Sequence, residues 1–324
     1  MRASRDLVSL AKICPAGAAA IAQAAAIIRG GGLVAFPTET VYGLGGDATS
    51  NDAIARIYAA KTRPANNPLI AHVEDTEAAF EQGFFSAEAR RLARLFWPGP
   101  LTLVVPAGPG TTVCPAARAG LSSLALRVPK HPVARALIAA VKRPVAAPSA
   151  NRSGRLSPVS PAHAARDLAS EIDLILDGGL CQVGVESTVV ACLDGPPHLL
   201  RPGGISRADI EAALGQKLSA REGMDVLAAP GMLPSHYAPR AALRLNAANL
   251  EAGEAGLDFG GLFGAHAHVR DLSPSRNLKE AAAHLFRFLH ELDALGLSTI
   301  AVAPIPDEGL GEAINDRLCR AAVR

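Results

Sequence analysis

AGAAAIAQAAAIIRGGGLVAFPTETVYGLGGDA, residues 16–48, runs from a helical pattern through a glycine stop into an apolar strand and then a polar segment. Alanine and isoleucine at helical spacing predict a helix over 16–29, closed by Gly30, Gly31 and Gly32, with a short strand over 33–36 behind it. The alternation continues outward: helices are predicted over 52–60 and 86–96, and strands over 69–73, 101–105, 123–128, 144–147, 172–176, 187–193 and 198–200. Strands outnumber the intervening helices, so the pattern predicts an α/β protein with a mixed rather than a purely parallel sheet. Ser206 opens a further helix, predicted to about residue 218, that closes a first domain over 1–221. Residues 222–239, rich in Gly, Pro and Ala and without periodicity, are the expected linker. A smaller α/β unit over 240–324 follows, with strands over 243–245, 257–263 and 299–303 and helices over 278–295 and 311–322. In the first of these helices Leu278, Ala281, Leu285, Leu289 and Leu292 share one face, which is expected to bury against the small sheet.

At 324 residues the chain exceeds what one hydrophobic core organises, in keeping with two unequal domains. Hydrophobic residues make up 49% and charged residues 19%, enough apolar area to offset chain entropy and exclude disorder. The net charge of +2, without long basic runs, argues against broad nucleic-acid binding. No apolar stretch reaches the roughly 18 residues of a membrane span, and Arg2, Arg5 and Asp6 do not form a secretory leader, so a cytoplasmic address is expected. Cys14, Cys114, Cys181, Cys192 and Cys319 are widely spaced without a Cys-x-x-Cys pair, and His266 and His268 lack a third ligand at a familiar spacing. Reduced thiols and no structural metal are expected.

Six polar segments sit beside apolar strands, where α/β folds place ligands. FPTETVYGLGGDA, residues 36–48, offers the hydroxyls of Thr38 and Thr40 and three glycines, Gly43, Gly45 and Gly46, read as letting backbone approach a ligand. A Walker ending is absent, so phosphates would need another cradle. KTRPANNPLIAHV, residues 61–73, brings Lys61, Arg63, Asn67 and His72; its cations fit a helix dipole or a phosphate equally well, and His72 on an apolar strand reads first as a core or rim histidine. FWPGPLTLVV, residues 96–105, reads as a rigid structural turn. SSLALRVP, residues 122–129, puts Ser123 and Arg127 on one strand face. That arginine needs an anionic partner, a protein carboxylate or, the sharper expectation, a ligand's. VAAPSANRSGRLSP, residues 145–158, is dense in donors, among them Ser149 and Ser157. DGG, GVESTVV and LLRPGG, between 177 and 204, add Glu186, Ser187 and Arg201. Without a Ser-His-Asp set, a paired cysteine nucleophile or an acid pair, the six describe a site that binds an anionic, polyhydroxyl ligand rather than one that forms a covalent intermediate.

In this order, PTETVYGLG, KTRP-x-x-NPL-x-x-H, FWPGPLT, LR-x-P-x-HP, APSAN-x-SG, DGG, G-x-EST and LLRPG resemble the YrdC-like threonylcarbamoyl-AMP synthases in their long form with a C-terminal extension. The likeness covers nearly the whole chain, and PGMLPSHYAP, residues 230–239, looks like the segment that covers the active site in long-form members. The resemblance implies a twisted YrdC-like sheet with a positively charged concave cavity and a small Rossmann-like C-terminal domain. It implies a nucleotidyltransferase that joins L-threonine, bicarbonate and ATP into threonylcarbamoyl-adenylate, releasing pyrophosphate, as the first step of a tRNA modification. Threonine-binding positions fall on Thr40, His72, Arg127, Ala147 (through its backbone) and Ser187. ATP-binding positions fall on Arg63, Asn67, Ser123, Ser149, Ser157, Arg201 and Tyr237, with Lys61, Arg63 and Ser149 expected to act at the reacting phosphate. Magnesium would arrive with ATP, and the product would pass to the tRNA threonylcarbamoyl-transferase complex, with at most weak tRNA binding and no membrane contact.

Competing readings are an RNA-binding module without catalysis, which near-neutral charge and scarce aromatics disfavour, and a carbamoyl-adenylate former of the hydrogenase-maturation kind, which here lacks the expected Cys-x-x-Cys segments. A paralogue that keeps the fold without the reaction is the third.

Overall fold

The computed structural model describes residues 12–219 and 236–323. The first stretch carries β1 (Lys12–Pro15), α1 (Ala18–Arg29), β2 (Val34–Pro37), β3 (Tyr42–Asp47), α2 (Asn51–Lys61), β4 (Ile70–His72), α3 (Thr76–Gln82), α4 (Ala87–Phe96), β5 (Leu101–Pro106) and β6 (Ser123–Arg127). It continues with α5 (Pro132–Val141), β7 (Val145–Ala146), α6 (Pro161–Leu168), β8 (Leu174–Asp177), β9 (Thr188–Ala191), β10 (His198–Arg201) and α7 (Arg207–Leu214). The second carries β11 (Ala242–Arg244), β12 (Ala255–Asp258), β13 (Val269–Asp271), α8 (Leu278–Asp293), β14 (Thr299–Val302) and α9 (Gly311–Ala322).

Strands β1 to β10 form one mixed sheet in the order β1-β8-β2-β3-β7-β4-β6-β5-β9-β10, and β11 to β14 a separate parallel sheet in the order β11-β14-β12-β13. The mixed α/β architecture expected from the alternation is the one observed. Both faces of the large sheet are covered. On β2, Val34 and Phe36 pack under α1 and α5, beside Ile28 and Leu137, while Ala35 and the preceding Leu33 join the opposite core with Ile54 and Ile57 of α2. Burial of an isoleucine such as Ile28 is worth about 1.5–3 kcal/mol. The second core runs on into the smaller unit through Tyr237, Leu285, Phe286 and Ile314. At that junction Gly184 has φ +77, and a Cβ on it would stand 2.3 Å from the Ala282 carbonyl, so α8 lies directly on its backbone.

The glycine-rich segment read as a ligand loop is strand β3. A Cβ at Gly45 would meet the Phe36 ring at 2.7 Å and one at Gly43 the Ala147 methyl at 3.1 Å, so these glycines let neighbouring strands and side chains close up rather than admitting a ligand. The pattern also passed over α3, α5 and α6, which are short. All three open with local signals: Asp75 caps α3, Ser160 caps α6 with Pro161 behind it, and the His131 ring caps α5 ahead of Pro132. Helix α7 stops at Leu214 instead of about 218 because Gly215 takes φ +70. The Trp97 segment is structural as expected, its indole N–H donating to the Leu101 carbonyl at 2.7 Å. Most of the expected linker, through residue 235, lies outside the described residues.

Candidate active site

Polar residues converge at strand ends around a cavity of about 50 Å³. The turn from β2 to β3 supplies Thr40 and Val41; the residues after α2 supply Arg63; β4 supplies Ile70 and His72; β6 ends on Arg127. Ala147, Pro148 and Ser149 follow β7, Glu186 and Ser187 precede β9, Arg201 ends β10, and His236 and Tyr237 close the cavity from the far side. Adjacent strands of unlike direction and short length bring segments distant in sequence to one rim.

Each cation is held in place. Arg63, 9% exposed, donates from Nη2 to Asn67 Oδ1 at 2.6 Å and to the Pro68 carbonyl at 3.0 Å. Burial pushes its guanidinium down to about 10, and Arg201 pushes the same way against Tyr58 and Tyr237, so it stays charged at neutral pH. Arg201 donates to the Ser187 carbonyl at 2.9 Å and to its hydroxyl at 3.2 Å, and that hydroxyl also meets Thr102 Oγ1 at 2.7 Å. Arg127 is clamped by Glu39 at 2.6 Å, Thr40 Oγ1 at 3.0 Å and the Gly99 carbonyl at 3.3 Å. Arg127 thus has a protein carboxylate beside it, one of the two anionic partners expected for it.

Burial, reinforced by the Arg127 charge, holds His72 down to about 3, and burial with the surrounding cations does the same to His236; both are neutral imidazoles. Their Nδ1 atoms, Asn67 Nδ2 and the Tyr237 hydroxyl are buried without a hydrogen-bond partner. Tyr237 sits at φ +67, a backbone region that tyrosine rarely adopts, with its ring 4.0 Å from that of His236 and 5.7 Å from that of Phe286.

Of the residues singled out in the sequence, Thr40, Arg63, His72, Arg127, Ala147, Ser149, Ser187, Arg201 and Tyr237 line the cavity, and Lys61, Asn67, Ser123 and Ser157 do not. Lys61, 1% exposed, donates to the carbonyls of Ser149 (2.5 Å) and Asn151, so it shapes the Ser149 loop from behind; burial carries its ammonium well below the ordinary lysine value. Asn67 orients Arg63. The Ser157 hydroxyl donates to Glu186 at 2.5 Å, and Ser123 starts β6 opposite Pro106, away from the cavity.

Not singled out beforehand were Glu39, His236 and Arg317, while Glu186 was named among the polar segments without a role. Arg317 reaches in from α9 and donates to Glu186 at 2.8 Å. The signal for it lay in GEAINDRLCRAA, where Ala313, Ile314, Arg317, Leu318 and Ala321 form one face and the arginine stands on the apolar stripe. With three guanidiniums on its wall and its one lining carboxylate already paired, the cavity is built for an anion. Its hydroxyls and neutral imidazoles fit the polar remainder of such a ligand.

Residues 26–203 match the family model of Sua5, YciO and YrdC proteins described as "Telomere recombination", and residues 205–323 match that described as "Threonylcarbamoyl-AMP synthase, C-terminal domain". The chain is 41% identical to the threonylcarbamoyl-AMP synthase of Bacillus subtilis over 93% of this chain and 92% of the relative. It is 40% identical to that of Pyrococcus abyssi over 92% and 93%. The crystal structure of P. abyssi Sua5 complexed with L-threonine superposes with a TM-score of 0.85 at 38% identity, over 93% of this chain and 94% of that one.

Proposed function

The chain belongs to the Sua5, YciO and YrdC family in its threonylcarbamoyl-AMP synthase form, and we propose that it condenses L-threonine, bicarbonate and ATP into L-threonylcarbamoyladenylate and pyrophosphate. The observation that carries this reading is the convergence on one cavity of three held guanidiniums with three buried, unpartnered polar atoms of its lining residues, His72 Nδ1, His236 Nδ1 and the Tyr237 hydroxyl. An orphaned buried polar group costs about 1–3 kcal/mol, so a cluster of them marks hydrogen bonds that a ligand completes.

Threonine's amine takes up bicarbonate carbon to give a carbamate and water; a carbamate oxygen then attacks the α-phosphorus while the bond to pyrophosphate breaks. No side chain need become covalently modified, and the protein's work is positioning and charge stabilisation. Thr40, His72, Arg127, Ser187 and the Ala147 backbone take the amino acid, with Arg127, preset by Glu39, facing its carboxylate. Arg63, Arg201, Ser149 and Tyr237 take the nucleotide. Lys61, Asn67 and Ser157 act one step back, by holding the Ser149 loop, Arg63 and Glu186. Magnesium entering with ATP would neutralise charge building on the phosphates. Glu39 and Glu186 are already engaged by Arg127 and Arg317, so phosphate oxygens would be its main ligands.

A cavity of about 50 Å³ is smaller than the roughly 300–1,000 Å³ of ordinary ligand sites, so the His236 and Tyr237 segment would move to admit substrates and return to exclude water from the labile adenylate. The product fits handover to a tRNA threonylcarbamoyl-transferase complex, making this a tRNA-processing enzyme. A cytoplasmic site accords with a described chain in which no helix is long and apolar enough to cross a membrane. The test is pyrophosphate release from ATP by the purified protein with threonine and bicarbonate omitted in turn. Dependence on both is expected, and release that ignores either one refutes the reading.

A further inference from the structure

Arg317 heads the largest fully buried side chains of the described residues, at 1% exposure, and it belongs to α9 of the small unit rather than to the large sheet that carries the cavity. Its fork is fully directed. Nε donates to Glu186 Oε2 at 2.8 Å, Nη1 to Asp316 Oδ2 at 2.6 Å and Nη2 to the Pro202 carbonyl at 2.9 Å, while its Cζ lies 5.2 Å from the Tyr237 ring centroid. Glu186 lines the cavity, and its other oxygen accepts from Ser157.

A buried ion pair is a poor device for stability alone, since apolar residues of like volume serve as well or better. A carboxylate on the wall of an anion cavity is moreover a hindrance unless its charge is cancelled. We propose that Arg317 is a positioning residue of this site: by neutralising Glu186 and fixing its orientation, it lets the nucleotide phosphates approach Arg201 without opposition. Helix α9 is thereby a working part of the active site.

The groups facing Glu186 are consistent with this. Arg317 comes from α9, where Asp316 holds its Nη1, Arg201 from β10, Ser157 from the loop before α6, and His236 and Tyr237 from the covering segment. Burial would raise the Glu186 carboxyl, yet the charges of Arg317 and Arg201 and the hydrogen bonds from Ser157 and Arg317 bring it down to about 2, so the negative charge is present at every working pH.

The inference rests on the ATP-dependent reading of the cavity, and its test separates the two. Threonine-dependent and bicarbonate-dependent pyrophosphate release is measured for wild type, Arg317→Met, Glu186→Gln and the double variant, with KM for ATP and for threonine taken separately. A silent wild type sinks the reading of the site, and this inference with it. With an active wild type, Arg317→Met is expected to raise KM for ATP about tenfold or more, because it strands a buried charge, while KM for threonine stays within about twofold. In the Glu186→Gln background the same change is expected to move KM for ATP by no more than about twofold, the non-additivity of residues that act through one another. An equal penalty in both backgrounds, or a parallel loss for both substrates, overturns the proposal and leaves Arg317 a structural latch. If Arg317→Met alone does not fold, Glu186→Gln is compared with the double variant, which strands no carboxylate. Agreement within about twofold supports the proposal, and a further loss overturns it.

Discussion

Replacing Arg127 by methionine separates what the Glu39–Arg127 pair does for the fold from what it does for the ligand. Both residues are 4% exposed and their side chains meet at 2.6 Å, and the second Glu39 oxygen accepts from the backbone N–H groups of Lys130 at 3.0 Å and His131 at 3.4 Å. Burial would raise the Glu39 carboxyl, but Arg127 and the backbone N–H groups of Glu39 and Lys130 hold it below the ordinary value. Arg127→Met leaves that carboxylate buried with amide partners only, and losing one partner of a buried pair costs about 3–5 kcal/mol. Against a total stability of about 5–15 kcal/mol this is a large fraction, readable as a fall in the urea midpoint at neutral pH. The double variant Glu39→Gln/Arg127→Met removes both charges and is expected to recover most of the loss, to within about 1–2 kcal/mol of wild type. It is not expected to recover threonine use: KM for threonine should rise on the order of a hundredfold, since a charged partner for a carboxylate is worth about 2–5 kcal/mol. A single variant within about 1 kcal/mol of wild type would refute the structural half of this reasoning. A refolded double variant with a wild-type KM for threonine would refute the binding half.

Tyr237→Phe removes a buried hydroxyl that has no partner in this structure, so stability should hold or rise by up to about 1 kcal/mol while turnover falls; unchanged turnover would take that hydroxyl out of the reaction. Gly45→Ala drives a methyl to 2.7 Å from the Phe36 ring and should cost about 1–3 kcal/mol in urea unfolding, whereas a ligand-loop role would leave stability intact. His72 and His236, neutral with folded values of about 3 against an ordinary 6.5, take up protons only on unfolding between those limits. Their linkage makes stability fall as pH drops below 6.5, by about 1.4 kcal/mol per pH unit for each; a urea midpoint that stays flat from neutral to mildly acid pH would contradict it.

Helix α9 was read at its full extent of Gly311–Ala322, and the start of α8 at Leu278, because amphipathic spacing and caps are local and recur within a turn or two. The motifs around Thr40, His72, Arg127, Ser149, Ser187 and Arg201 were legible for a similar reason: polar residues beside apolar strands stand out against an aliphatic chain. Strand β3 was misread because YGLGGD lacks the β-branched residues that mark a strand, and only the approach of Phe36 and Ala147 explains its glycines. The same limit applies to the charges. Thirty acidic residues are available to pair, and nothing local to Arg127 or Arg317 selects Glu39, 88 positions away, or Glu186, 131 positions away. The sequence by itself determined the alternation of most helices and strands, though not β3, α3, α5 or α6, and which residue types the site contains. Only the tertiary structure decided which arginine meets which carboxylate, because ion pairing depends on distance in space and burial, and both are set by how the two sheets pack.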